Sequence, residues 1–552
     1  MKKFIENHPA AAAVMLMFIT LFPLMALRDF TPANELRYLN ITDEALAGGH
    51  FFAFTSQGEP YADKPPLYFW LMMLLKTIFG GHSMPALSML SFIPAAVMMT
   101  VMDRWAVSAS GTTGRPGFLT RFASSLMLGT SALFLGTSVF LRMDMLMCMF
   151  IVLALHSFYK LYTGQGNRKV QGILLPVYIF LALFTKGPVG LLVPPVSIIV
   201  FLVREGKVRD IGKYLGWKTW GILVLLCALW FVGVRLDGGR EYLENLLFHQ
   251  TLDRAVDAFH HKEPFWYYAV AIWYVLAPYS ILLVLAFFSE FTRGISDSGN
   301  FRERSMRRLS VSVTACTFIM LSAFSSKLSI YLLPIFPFMV YMLPLLSGKF
   351  RWRAWHTLSL MIPASVFVVA GAGGIAVLVT RCVPALEAYG FAWSPYVFVA
   401  LSLLAAGGIL GMILVLKSRS WQLPVISLAV SVLAAAAVVS AVIPQANDYI
   451  GYRNVCRTAA EMASGSPEET VYVTLSVFRP DNMDVYLHED IIDFGKDTGS
   501  YLDAGLGSHV LIVKTSAVSD DSGLHDRLQG LNPVQVGEYS LYLMPGHQEP
   551  QP

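Results

Sequence analysis

Residues Ala10–Leu27 read AAAAVMLMFITLFPLMAL, with no charged side chain among them. A run of this length crosses a hydrocarbon layer about 30 Å thick as an α-helix. Lys2 and Lys3 precede it as they would in a secretory signal. The run is nevertheless long enough to span, and no small-residue cleavage site follows it, so it is expected to remain as a first membrane helix. The same pattern recurs along the chain. Apolar runs near 84–103, 118–140, 145–162, 171–185, 188–203, 217–235, 266–289, 309–325, 329–346, 356–380, 395–416 and 421–443 bring the expected spans to about thirteen. Pro65–Phe79 is short for a span and opens on Pro65-Pro66. It is expected to lie along the membrane interface.

Composition agrees with lipid as the solvent. Of 552 residues, 55% are hydrophobic and only 14% charged, where soluble proteins carry about 25% charged residues. The net charge of +4 is small and no basic stripe interleaved with aromatics is present, which argues against nucleic acid as a partner. The five cysteines show neither disulfide nor metal-ligand spacing and are expected to be inert.

Lys and Arg crowd into segments 1–9, 104–117, 163–170, 204–216, 290–308, 347–355 and 417–420, for example Arg302, Arg304, Arg307 and Arg308. The positive-inside rule therefore puts these segments and the N-terminus in the cytoplasm. Treating Pro65–Phe79 as a span would invert the arrangement. The expected molecule is a polytopic α-helical membrane protein. Residues 1–443 form the transmembrane domain, with a long first outward loop at 28–83, and 444–552 form a small extracytoplasmic α/β domain. Val471–Leu475, His509–Lys514 and Ser540–Met544 are its clearest strands.

Ionisable residues recur where the outward loops meet the helices: Glu35, Arg37, Asp63, Lys64, Asp144, Lys186, Arg254 and Lys327. Asp144, Lys186 and Lys327 sit between apolar runs with little loop around them. An ionisable group at membrane depth is costly and usually faces a cavity or a partner charge; the plainer alternative is a side chain snorkelling to the interface. Several cations converging with carboxylates at the membrane surface suit a phosphate carried on a lipid. The cations hold it as a leaving group while a carboxylate deprotonates an acceptor. No P-loop or Gly-rich βα turn offers a nucleotide site, so an activated donor would arrive through the membrane.

These motifs resemble the extracytoplasmic glycosyltransferases of the GT-C superfamily, which includes the protein O-mannosyltransferases and the lipid A aminoarabinose transferases. Asn34-Glu35-x-Arg37-Tyr38 is similar to that family's acidic DE-x-RY motif. Asp63-Lys64-Pro65, Asp144, Thr185-Lys186-Gly187, the run His261–Tyr268 and Lys327-Leu328-x-x-Tyr331 follow in the same order over roughly the first 340 residues. The resemblance implies a polyprenyl-phosphate-linked sugar as donor, transferred to a lipid, glycan or protein acceptor outside a bacterial inner membrane. It implies donor-phosphate contacts at Lys64, Lys186 and Arg254, with Arg37, Lys327 and Tyr331 in the same set. It also implies that Asp63, with His249 as partner, could hold a divalent metal, although no cofactor is required by the reading.

Asn34 departs from the family, which carries an acid there. An amide is no general base near neutral pH, so Asp144 is expected to deprotonate the acceptor, with Glu35 second. Otherwise the acceptor is already anionic, or transferase activity has been lost. Two other classes remain as alternatives, a secondary transporter and a non-catalytic carrier-lipid binder. The transporter lacks support from internal repeats or paired broken helices.

Overall fold

The computed structural model describes residues 6–111, 116–247, 263–292, 300–346, 352–466 and 469–545. Helix α1 (Pro9–Leu27) opens on a proline, tolerated there because the first-turn N–H has no helical partner. The first loop then forms a five-residue π-turn at Pro32–Leu36, helix α2 (Arg37–Gly48), a two-stranded hairpin of β1 (Thr55–Ser56) and β2 (Glu59–Pro60), and helix α3 (Leu67–Phe79). Helix α3 buries Tyr68, Phe69, Met72 and Met73 and exposes Leu74, Ile78 and Phe79. One apolar face packs on protein and a second is left for lipid, as an interface helix requires.

The bundle continues through α4 (Met84–Ser110), α5 (Phe118–Thr130), α6 (Ala132–Val139), α7 (Met143–Thr163), α8 (Arg168–Lys186), α9 (Pro188–Arg204) and α10 (Trp217–Glu244). After α11 (Tyr267–Val275), α12 (Ser280–Thr292) and α13 (Phe301–Ala323), a 3₁₀ turn at Ser329–Ile335 leads into α14 (Phe336–Leu346). Helices α15 (Ala354–Thr380), α16 (Pro395–Ser418), α17 (Gln422–Val439) and α18 (Ile443–Ile450) complete it.

The expected count of about thirteen spans is not reached by helix length and apolarity alone. Among the described residues nine helices are long and apolar enough to cross, or ten if α5 and α6, bent by 69°, form one span. The other segments are helical but fall short for physical reasons. Helix α9 has 17 residues, the 266–289 segment divides into α11 and α12, and α13 carries Arg302, Glu303, Arg304, Arg307 and Arg308 near its start.

Backbone groups freed at the α5–α6 break still find partners. Ser131 Oγ donates to Met127 O at 2.7 Å, and Ala132 N donates across the bundle to Ala277 O at 2.8 Å. Broken helices survive at membrane depth only where such replacements exist. Near the end of the bundle, α15 and α16 approach so closely that a Cβ on Gly371 would meet Leu401 O at 2.4 Å. Small residues permit such approach where lipid offers no hydrophobic drive for association.

Helix α19 (Arg453–Ser464) leads into a five-stranded sheet of β3 (Val471–Leu475), β4 (Ile491–Asp493), β5 (His509–Lys514), β6 (Val534–Val536) and β7 (Tyr539–Met544). Its order is β4-β3-β5-β7-β6, parallel from β4 to β5 and antiparallel from β5 to β6. The two short edge strands carry too few residues to have shown alternation in the sequence. Alternation divides β5 cleanly: Leu511 and Val513 pack with Leu524 and Leu528, while Val510 and Ile512 face the opposite way. That second face shares one core with Leu36, Leu39 and Ile41 of the first loop.

Polar contacts seal the same seam. Asp29 accepts from Tyr486 Oη at 2.7 Å and Arg453 N at 2.9 Å, and Asn40 Nδ2 donates to Asp484 Oδ2 at 2.6 Å. The first loop and the C-terminal sheet are therefore one packed layer over the helix ends.

Candidate active site

Glu35 is fixed before any chemistry is considered. The Arg28 guanidinium grips its carboxylate in a two-pronged pair, Nη1–Oε2 at 2.7 Å and Nη2–Oε1 at 2.8 Å. Thr31 N, Thr31 Oγ1 and Leu141 N donate to it as well, at 2.8, 2.9 and 2.7 Å. Arg28 also donates to Val139 O at 3.2 Å and lies over the Phe140 ring. Burial disfavours the Glu35 charge, but the Arg28 hydrogen bonds and charge outweigh it and hold the carboxyl below its ordinary value of 4.5. Glu35, expected as the second-choice base, is held in a buried clamp that joins the first loop to the start of α7. Five donors leave it no free lone pair for an acceptor proton.

Asp144 lies in the first turn of α7 and is 3% exposed; Lys186 is the last residue of α8. The two side chains form a direct ion pair. Each sits at the helix end whose dipole favours its charge, the carboxylate at an N-terminus and the ammonium at a C-terminus. The next residue, Gly187, takes φ +116°, a conformation L side chains rarely adopt, and this lets α9 begin immediately at Pro188. The Lys186 ammonium also lies 4.9 Å from the centroid of the Tyr331 ring. Sequence reading expected Asp144, Lys186 and Tyr331 as site residues, and the structure brings them together.

A second group comes from the first loop. Lys64 Nζ is 3.9 Å from Asp63 Oδ2 and donates to the Asp63 carbonyl at 3.3 Å. The Arg37 guanidinium lies 5.6 Å from the Tyr61 ring centroid and reaches Asn34 Oδ1 only at 3.5 Å, too long for a strong bond. Buried Tyr38 links the groups, because Arg142, Asp144, Arg37 and Asp63 all act electrostatically on its hydroxyl. Burial nonetheless dominates and raises the Tyr38 pKa.

Lys327 makes backbone contacts. Its ammonium donates to Glu263 O at 2.9 Å and to Phe324 O at the end of α13. Buried at 4% exposure, it caps carbonyls at the end of α13 and at Glu263. Arg254 and His249 lie outside the described residues. Among the described residues no three His, Cys, Asp or Glu side chains cluster in a way that could hold a metal ion, and Asp63 has Lys64 as its close charged neighbour.

Sequence reasoning missed Arg28. Arg28 ends an apolar run, and that position alone was its signal. Arg142 precedes Asp144 by two residues, and its backbone is locked by Ser91 from α4.

A family model described as dolichyl-phosphate-mannose-protein mannosyltransferase matches residues 63–231. An uncharacterised protein of Aquifex aeolicus is 25% identical over 339 residues, 61% of this chain and 63% of that one. An undecaprenyl phosphate-alpha-4-amino-4-deoxy-L-arabinose arabinosyl transferase of Shewanella sediminis is 25% identical over 335 residues, 59% of this chain and 57% of the relative. The chain thus spans less than two thirds of the length of these curated relatives. The crystal structure of ArnT from Cupriavidus metallidurans bound to undecaprenyl phosphate superposes with a TM-score of 0.69, covering 97% of both chains at 15% identity. The archaeal oligosaccharyltransferase AglB from Archaeoglobus fulgidus, in complex with an inhibitory peptide and a dolichol-phosphate, gives 0.50 at 12% identity, over 100% of this chain and 75% of that one.

Proposed function

We propose that this chain, which has the fold of the GT-C glycosyltransferases, moves a sugar from a polyprenyl-phosphate donor to an acceptor. Lipid A, another glycan and a protein hydroxyl are the acceptor classes this reading admits. The reading places the protein in a bacterial inner membrane, with its site facing the periplasm. The observation that carries it is the Asp144–Lys186 pair across two helix ends, with Arg37, Asp63 and Lys64 brought close by the first loop.

The pair supplies a mechanism. A donor phosphate entering beside Lys186 competes with Asp144 for the ammonium and releases the carboxylate. Asp144 then takes the proton of an acceptor hydroxyl as its oxygen bonds to the anomeric carbon. The bond from that carbon to the phosphate oxygen breaks, and polyprenyl phosphate leaves with the electron pair. Lys186 and Lys64 stabilise the charge that develops there, which is where electrostatic catalysis is most effective. A second reading is supported by Glu35, which is held by Arg28, and by Asn34, which cannot act as a base. Under it the acceptor is itself a phosphate and needs no deprotonation.

Comparison of the lipids and surface glycans of a deletion strain with those of its parent tests the proposal. Loss of one sugar substituent, restored by the wild-type gene and not by an Asp144→Asn copy, is the expected result. Identical profiles in deletion and parent refute it. A reporter active only in the cytoplasm, fused at Pro552, should be silent; a bright signal puts the site on the other side of the membrane.

A further inference from the structure

Arg142 is the N-cap of α7, two residues before Asp144. Its backbone is held by Ser91, and that of the preceding residue by Glu35. Leu141 N donates to Glu35 Oε1 at 2.7 Å, Arg142 N donates to Ser91 Oγ at 3.1 Å, and Ser91 Oγ donates to Arg142 O at 3.4 Å. The side chain is treated differently. Among the described residues the half-buried Arg142 guanidinium makes no ion pair and no hydrogen bond.

Its electrostatic neighbours raise the question of what it is for. Arg142 favours the charged form of Tyr38 and stands two residues before Asp144, the ion-pair partner of Lys186. Asp144 thus has a cation two positions before it and another in direct contact, and it pairs only with Lys186. Of the other basic groups of this face, Arg28 is engaged by Glu35, Lys327 by carbonyls and Lys64 by Asp63, while Arg37 lies over Tyr61 and reaches Asn34 only at 3.5 Å. A partly desolvated guanidinium beside another cation is unfavourable unless an anion arrives. Arg supplies a planar fork of donors that fits phosphate oxygens two at a time. With its backbone locked, little ordering remains to be done on binding.

We infer that Arg142 binds the phosphate of the lipid-linked donor, holding it against the Asp144–Lys186 pair. This inference rests on the donor proposed above. The fork also explains how Asp144 is freed. A phosphate drawn to Arg142 lies where Lys186 can turn to it, so the ammonium changes partner without moving far.

The test uses the full chain in nanodiscs, with undecaprenyl phosphate and the phosphate-free alcohol undecaprenol as probes. The wild type should hold the phosphate lipid more tightly than the alcohol. Arg142→Gln should weaken binding of the phosphate lipid about ten- to a hundredfold, the range for a charge-assisted contact, and leave alcohol binding unchanged. Arg142→Lys, which keeps charge and packing but loses the fork, should fall between the two. Equal loss on both lipids in Arg142→Gln, with full recovery in Arg142→Lys, marks a packing role and overturns the inference. Unchanged phosphate binding in Arg142→Gln also overturns it. A wild type that does not distinguish the two lipids sinks the donor assignment itself, a failure separate from that of Arg142.

Discussion

Replacing Glu35 with leucine removes one half of a buried pair and leaves Arg28, at 3% exposure, charged and without its carboxylate. Breaking a buried pair from one side costs about 3–5 kcal/mol, whereas replacing both partners with apolar groups is often near neutral. The structure puts Glu35→Leu at the upper end, because Thr31 N, Thr31 Oγ1 and Leu141 N lose their acceptor together with Arg28. The double variant Arg28→Met/Glu35→Leu should recover most of that loss. Thermal unfolding of purified protein in one detergent, followed by tryptophan fluorescence, reads all four corners of the cycle. The pH dependence has a fixed sign. The folded-state carboxyl titrates below its ordinary 4.5, so its stabilisation is complete above that pH and lost as the pH falls through the folded value. The double variant should lack this acid sensitivity. If Glu35→Gln instead abolishes turnover at an unchanged melting temperature, Glu35 is acting as a base and the clamp argument is wrong.

Three further outcomes follow from the site. On a hydroxyl acceptor, Asp144→Asn should lower turnover about 10²–10⁴-fold, the usual share of general-base catalysis, while Asn34→Asp should be tolerated; near-normal Asp144→Asn activity on that acceptor removes Asp144 as base. Lys186→Met should weaken undecaprenyl phosphate binding about ten- to a hundredfold, measured by lipid titration, and unaltered affinity refutes the phosphate role. Lys327→Met should lower the melting temperature and leave donor affinity within about twofold, since its ammonium is satisfied by backbone carbonyls; a large affinity loss at constant stability would return Lys327 to the donor site.

Helix positions were legible because each apolar run reports its own burial. Ala10–Leu27 became Pro9–Leu27 and His509–Lys514 became β5 without change. Span counting was less secure where charge and apolarity share one helix, as in α13, or where a break divides a run, as at Ser131. Within the site, Asp144 and Lys186 stood out because each is costly at membrane depth, and the fold shows that each answers the other. The role of Glu35 was not legible. Its motif marks an acid, but only the fold reveals that Arg28, seven residues earlier, turns back onto it through the π-turn at Pro32–Leu36. For Lys327 the sequence does not separate two roles, because a lysine at a helix end serves a carbonyl as readily as a phosphate.

The seam between the first loop and the C-terminal sheet bears on how the protein is made. Asp29 pairs with Asn447, 418 residues later, and with Tyr486, 457 residues later. At synthesis rates of about 5–20 residues per second, the first loop waits roughly 20–90 s for these partners to leave the ribosome. Leu36, Leu39 and Ile41 are without their sheet for that whole interval, while most of the membrane helices are still being inserted. The layer over the site is therefore the last part of the molecule to close. A nonsense mutation between the end of α18 at Ile450 and the start of β3 at Val471 leaves every bundle helix but a permanently uncovered apolar loop, which membrane quality-control proteases should recognise.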